Sequence, residues 1–154
     1  MKIINCTRLT LLAVALIISL ASTAAEMRQP IVRGNVEIFY GFIPSSVLLA
    51  HPSDHPERTM HGGVQVAPNA YHLLVSIFDA RKKERITDAE VRASVSQADL
   101  KPQTKSLDAM QMAGVLTYGN FFVIRNPGPI RITLDIKQPR GVPRTHVSFE
   151  YAHR

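Results

Sequence analysis

The stretch YHLLVSIFDARKKERITDAEVRASVSQ, residues 71–97, decides the fold that this sequence predicts. In its first part, successive side chains alternate between two faces, as they do in a β-strand. The two faces are Tyr71, Leu73, Val75 and Ile77 on one side, and His72, Leu74, Ser76 and Phe78 on the other. The charged run RKKER (81–85) indicates a solvated turn, and residues 89–97 alternate again. The inward set of this second run is Ala89, Val91, Ala93 and Val95. Two alternating runs with a turn between them predict a β-hairpin.

Further strand patterns lie on both sides of this unit. They are NVEIFYGFI (35–43), two short strands within AMQMAGVLTYGNFFVI (109–124), IRITLDIKQ (130–138) and THVSFEYAH (145–153). We expect the two short strands to be bent or joined near residues 118–120, and residues 100–108 to be a polar connection. The pattern predicts an all-β protein, an immunoglobulin-like antiparallel β-sandwich of about seven strands. An up-and-down barrel is the competing architecture.

The first 25 residues have the composition of a cleaved signal peptide. A short basic start with Lys2 and Arg8 is followed by an apolar run, LLAVALIISL, and by small residues up to Ala25. The apolar run is about half of the roughly 20 residues that a membrane-spanning helix needs. We therefore predict cleavage after Ala24 or Ala25, a single domain over residues 26–154, no transmembrane segment in the mature chain, and a periplasmic location.

Cysteine and charge exclude several classes of function. The single cysteine, Cys6, lies in the signal, so the mature chain has no disulfides, thiolate metal sites or cysteine nucleophile. Removal of the signal takes away two positive charges and no negative ones, and the net charge falls from +6 to +4. A mild basic excess in an exported protein does not indicate a nucleic-acid partner. It agrees with a well-solvated surface.

The hairpin-like stretch 71–97 and the strand GPIRITLDIKQP (128–139) carry a family resemblance. They resemble the strand, turn and "DA-x-V" strand unit, and the closing strand, of small exported bacterial sandwich domains of the YtkA-like, FixH-like and CopC-like kinds. Ile130 stands where an aromatic residue is common. The whole chain is also similar to uncharacterised exported proteins of Gram-negative bacteria. CopC-like proteins bind copper through an N-terminal amine–histidine site or methionine-rich loops. The mature chain would begin with Glu26 and Met27 and lacks the early histidine of the first type.

The segment HPSDHPERTMHGG (51–63) is the candidate metal-binding loop. It holds three of the six histidines, and its prolines and glycines predict neither helix nor strand. On the chain beyond it, Met110 and Met112 are two residues apart, so both side chains project from one face if they lie on a strand. Thioethers with imidazole suit copper(I). The predicted ligands are Met60, His61, Met110 and Met112, with His51, His55 and His72 as candidates around them.

Two other interpretations stay open for these residues. Methionines on one strand face often only fill a core, and a loop rich in His, Pro and Asp is often only well solvated. No glycine-flanked nucleophile and no phosphate-binding glycine loop occurs, so we expect no enzymatic activity.

The sequence therefore predicts a periplasmic copper-binding or copper-delivery protein whose metal binding weakens below about pH 6, as histidines become protonated. The alternative is an envelope accessory domain that binds a protein partner. Its contact would be an edge strand or an aromatic patch from the set Phe39, Tyr40, Phe42, Tyr118, Phe121 and Phe122.

Overall fold

A computed structural model describes residues 29–63, 67–112, 114–139 and 141–153. The predicted signal peptide and the predicted mature N-terminus lie outside the described residues. Eight strands and three short helical segments follow one another along the chain. In order they are β1 (Ile31–Arg33), β2 (Val36–Pro44), α1 (Ser45–Leu49), α2 (Pro56–Thr59), a 3-10 turn (Met60–Gly62), β3 (Ala70–Asp79), β4 (Glu90–Ser96), β5 (Gln103–Met112), β6 (Val115–Val123), β7 (Gly128–Lys137) and β8 (Thr145–His153).

All strand pairs are antiparallel, and the strand order is β1-β2-β3-β6-β5-β4-β7-β8. The fold has two layers because β5 belongs to both. Its first half, up to Leu107, pairs with β4, and its second half, from Asp108, pairs with β6. The all-β antiparallel prediction is confirmed, with eight strands where about seven were expected.

The main core lies between the two layers. The predicted inward residues of β7 are fully buried, as are the corresponding residues of β3; these are Ile130, Ile132, Leu134, Ile136, Leu73, Val75 and Ile77. Aromatic pairs connect the layers at the opposite end from β5. The ring of Tyr40 on β2 lies 4.2 Å from that of Phe149 on β8. Alternation along β3 and β7 therefore predicted correctly which side chains are inside.

The predicted hairpin between β3 and β4 is wrong. β3 pairs with β2 and β6, whereas β4 pairs with β5 and β7, in the other layer. The charged turn itself forms, since Asp79 accepts hydrogen bonds from the backbone N–H groups of Arg81 and Lys82, both at 2.9 Å. The bonds from Lys82 and then Arg81 lower the pKa of Asp79. The return of the chain ends at the single bridge from Phe78 to Arg85, after which the chain crosses to the second layer.

The hydroxyl of Tyr118 on β6 holds this crossover. It accepts a hydrogen bond from the backbone N–H of Ala89 at 3.0 Å and donates one to the carbonyl oxygen of Ile86 at 3.3 Å. The Tyr118 side chain is almost entirely buried. Burial raises the pKa of Tyr118 above its ordinary value of 10.0.

Two further sequence predictions fail around β5. Residues 103–108, expected in a polar connection, form the first half of this strand, and β5 and β6 are joined after Met112, not at residues 118–120. The polar residues have a structural role where β5 leaves β6. Gln103 donates to the carbonyl oxygen of Val123 at 2.6 Å and accepts from its N–H at 3.0 Å. Lys105 donates to the carbonyl oxygen of Phe121 at 2.7 Å. These side chains replace the missing backbone ladder.

A Gln103→Ala variant is therefore expected to lose about 1–2 kcal/mol of unfolding free energy, because two backbone groups of Val123 lose their partner. Urea unfolding followed by circular dichroism measures this loss. Gln111→Ala is the matched control, since Gln111 is an exposed residue of the same strand. Equal unfolding midpoints for the two variants would contradict the bridging role of Gln103.

Candidate functional site

A second, smaller buried region lies on the side of β3 that faces away from the main core. Its residues are buried but lie outside the main core cluster, and they are Leu48, Ala70, His72 and Phe121. We call this group the covered patch. The segment Ser45–Gly63, here called the helical cover, contains α1, α2 and the 3-10 turn. In the cover, α1 packs on β2 and β3, and α2 packs beside β5.

The helical cover also corrects a sequence prediction. Residues 51–63 were expected to contain neither helix nor strand, but α2 and the 3-10 turn lie within them. Arg58 ties the cover together, because its Nη1 donates to the carbonyl oxygens of Leu49 at 3.2 Å and His51 at 3.0 Å. A cation at the last carbonyls of α1 satisfies groups that a helix C-terminus leaves unpaired.

His72 is the centre of the covered patch. Its side chain is fully buried, and its ring lies 4.6 Å from that of Phe121, the residue opposite it on β6. The imidazole lies directly over Gly119. A Cβ atom added to Gly119 would stand 2.9 Å from Cε1 of His72 and 2.9 Å from the carbonyl oxygen of Leu73. The glycine is therefore required for the ring to occupy this position.

The strand register places methionines on the same face as His72. Met110 is opposite Thr117 and Met112 is opposite Val115, and both pairs share the face of Phe121 and His72. His72 contacts two methionine side chains. Each step of two residues along β5 is about 6.8 Å. The His72 ring lies over Gly119, and Asp108 on β5 is opposite Gly119. Met110 is therefore one such step from the cross-strand row of Gly119, and Met112 is two steps away.

Several donors of this face were missed by sequence reasoning. Within the described residues, Oγ of Ser45 and Oγ1 of Thr117 are buried without a hydrogen-bond partner. Buried polar atoms of this kind usually have a hydrogen-bond partner, which can be a bound water molecule or a ligand. Asp108 is an exposed carboxylate opposite Gly119. Strand parity could have found Asp108, which shares it with Met110. The isolated Gly119 in an aromatic strand could have indicated the close approach of another group.

The remaining predicted ligands are placed as follows. Met60 is half-buried in the 3-10 turn of the helical cover, while the side chain of His61 lies outside the described residues. His51 and His55 lie together in the cover, with their rings stacked 4.5 Å apart. The structure therefore puts His72, Met110 and Met112 on one face under a cover that carries Met60. The rings of His51 and His55 stack on each other within the cover.

The donor chemistry decides which metal the covered patch can accept. Among the residues described, no three His, Cys, Asp or Glu side chains are grouped closely enough to hold a metal ion. The donors that the register brings to the face of the buried His72 imidazole are the thioethers of Met110 and Met112. Imidazole with thioether is the donor set that copper(I) prefers, and it fits the residues that the register brings to this face.

The predicted aromatic patch is mostly interior. Four of its six members, Phe42, Tyr118, Phe121 and Phe122, are buried, and Tyr40 is half-buried against Phe149. Phe39 is 41% exposed, and its ring packs edge-on against Phe78 at 5.4 Å. The aromatic residues are therefore core and cross-strand pairs. In the part of the chain that the structure covers, no helix is long and apolar enough to cross a membrane.

No sequence-family model and no curated protein sequence matches this chain. Solved structures do match it. A DUF4426 family protein from Pseudomonas aeruginosa PAO1 is similar with a TM-score of 0.64 and 18% sequence identity, over 81% of this chain and 93% of that one. At this identity the likeness shows a shared fold.

Two other similar structures contain copper. A copper-bound variant of FetP from uropathogenic Escherichia coli strain F11 has a TM-score of 0.63 and 17% identity, over 82% of this chain and 95% of its own. The copper-reconstituted P19 protein from Campylobacter jejuni has a TM-score of 0.63 and 12% identity, over 82% of this chain and 94% of its own. FetP has also been studied as isolated after recombinant expression in the E. coli periplasm.

Proposed function

We propose that this chain is an exported, non-enzymatic copper-handling protein that binds copper(I) in the covered patch. One observation carries the proposal: the fully buried His72 ring stands over Gly119 in contact with two methionine side chains. Copper-containing proteins of the same fold support it. The predicted signal peptide and the periplasmic expression of FetP support an exported, periplasmic location.

The proposed ligands follow from the distances along β5. His72 supplies the imidazole, and Met60 and Met110 supply thioethers from the helical cover and the sheet. Met112 is one side-chain repeat farther from the His72 row than Met110, so we assign it to the edge of the site. His61 remains a predicted ligand because it adjoins Met60 in the 3-10 turn. When bound, copper(I) would take soft thioether and imidazole donors beside the fully buried His72 ring.

Copper(I) titration of the purified protein against a competing colorimetric chelator tests this function. We expect one equivalent to bind. Met110→Leu keeps the side-chain volume and removes the sulfur, so it should weaken copper(I) binding by roughly tenfold or more. Met112→Leu is the matched control on the same strand face and should change the affinity little. Equal effects of the two substitutions, or wild-type binding no tighter than that of a His51–Gly63 peptide of scrambled order, would refute the assignment.

A specific observation also favours a second function, binding of a protein partner. Strand β8 has nine residues, contains no proline or lysine, and within the described residues pairs only with β7. A long edge without such protective residues can accept a strand from another protein. If the partner function is correct and copper handling is not, Ser148→Lys on β8 should abolish capture of an envelope partner, while copper(I) fails to bind the wild-type protein.

A further inference from the structure

The helical cover contains a second cluster of metal-ligating side chains that the proposed copper(I) site does not use. The rings of His51 and His55 lie face to face, with their centroids 4.5 Å apart and their planes inclined by 13°. Both side chains are half-buried. Asp54, an exposed acid, lies in the same turn.

The backbone beneath this pair is fixed by hydrogen bonds. The N–H of His55 donates to the carbonyl oxygen of Pro52 at 3.0 Å, and the N–H of Arg58 donates to the carbonyl oxygen of His55 at 2.8 Å. The Arg58 guanidinium also donates to the carbonyl oxygen of His51 at 3.0 Å. One arginine thus holds the main chain of both histidines. Their juxtaposition is part of the folded structure, and a ligand does not need to order the turn.

The spacing of the rings suits two bonds to one ion. A metal–imidazole bond is about 2.0–2.1 Å long, so two coordinating nitrogens on one ion stand up to about 4 Å apart. Stacked rings have their in-plane lone pairs in parallel planes, so one ring must turn about its side-chain bonds before both can coordinate. Because both side chains are partly exposed, there is room for this rotation of the ring. It replaces a stacking contact with a metal bond.

We propose that His51 and His55 form a second, partly exposed metal site that is specific for a divalent transition-metal ion, foremost copper(II). Imidazole donors suit copper(II), zinc and nickel, and copper(II) binds most tightly among the divalent ions of the first transition row. This donor set lacks the thioethers that select copper(I). The site therefore differs from the covered patch in the oxidation state that it accepts, and it does not depend on copper(I) binding there.

Titration of the purified protein with copper(II) sulfate, followed by NMR of the histidine ring protons, tests the proposal. Paramagnetic copper(II) should broaden the signals of His51 and His55 at substoichiometric metal, before those of His72 and His146. Zinc(II) chloride should shift the same two signals. His51→Gln and His55→Gln should each weaken copper(II) binding at least tenfold in calorimetry. The control is His146→Gln, which removes a lone imidazole 3.8 Å from the Asp135 carboxylate and should leave the affinity unchanged.

Two results would overturn this inference. One is broadening that is equal at all histidines; the other is a doubly substituted His51→Gln, His55→Gln protein that binds copper(II) as tightly as the wild type. The unfolding midpoint of each variant is measured in parallel, so a loss of binding counts only where the variant remains folded. If the copper(II) proposal fails, the copper(I) titrations of the Met110→Leu and Met112→Leu variants still stand, so the two proposals are judged separately.

Discussion

Substituting Gly119 by alanine is expected to destabilise the protein by about 1–3 kcal/mol and to weaken copper(I) binding at least a hundredfold. The new Cβ would lie 2.9 Å from the His72 ring and 2.9 Å from the Leu73 carbonyl oxygen. A side chain can move away from such a contact, but a backbone oxygen in the middle of a sheet cannot. The strand must therefore shift, and the ring must leave the position in which it contacts the methionines.

The chain provides a matched control in the same cross-strand row. Gly41 on β2 is opposite Leu74, and Leu74 is opposite Gly119. A Cβ on Gly41 would meet nothing within 4 Å. Gly41→Ala should therefore leave stability unchanged or slightly raised, since alanine restricts the unfolded chain. Urea unfolding and the chelator competition measure both variants. If Gly119→Ala behaves like Gly41→Ala in both experiments, the described position of His72 is wrong.

A Tyr118→Phe variant should lose about 2–4 kcal/mol of unfolding free energy near neutral pH. The substitution keeps the buried ring and removes only the hydroxyl. The N–H of Ala89 and the carbonyl oxygen of Ile86 then lose their partner in the crossover between the layers. Tyr40→Phe removes a tyrosine hydroxyl from a half-buried ring and serves as the control. A loss no greater than that of the control would mean that Tyr118 does not hold the crossover.

The same hydroxyl predicts a dependence of stability on alkaline pH. Burial raises the pKa of Tyr118, so between its ordinary value of 10.0 and the higher native value the folded protein keeps a proton that the unfolded chain has lost. This contribution is complete below pH 10 and is lost as pH rises through the native pKa. The unfolding free energy of the wild type should therefore fall more steeply above pH 10 than that of Tyr118→Phe. Parallel curves would contradict the prediction.

The elements that the sequence predicted well are those whose side chains alternate across a buried face. In β7, Ile130, Ile132 and Leu134 leave only one orientation in which a strand can bury its apolar set. Alternation is a property of the strand itself, so it can be recognised without knowing the neighbours. The same parity correctly put Met110 and Met112 on one face.

Strand partners could not be predicted in the same way. The turn after Asp79 has the expected local hydrogen bonds, but the course of the chain beyond Arg85 depends on Tyr118, which is 29 residues from Ala89. The polar residues Gln103 and Lys105 indicate a loop by sequence alone, because their polarity serves β6 backbone groups far along the chain. Gly119 suggested a turn because a glycine within a strand and a glycine in a turn give the same sequence signal.

The candidate site was predicted in part for the same reason. Its sheet residues follow from parity, whereas the helical cover depends on tertiary contacts. Helices as short as α1 and α2 have almost no stability of their own, so their existence rests on Leu48 packing against the sheet and on Arg58. No local pattern in residues 45–63 records those contacts.

The chain leaves β2 before the helical cover and rejoins the sheet in β3 at a neighbouring point, because Pro44 and Tyr71 are register partners on β2 and β3. The whole excursion between them thus returns to where it started. An engineer could replace it with a tight reverse turn, and the β2–β3 ladder would keep its alignment. The sheet and the helical cover are consequently separable parts, and transplanting the cover onto another hairpin of this width, together with the sheet residues beneath it, is a realistic design goal.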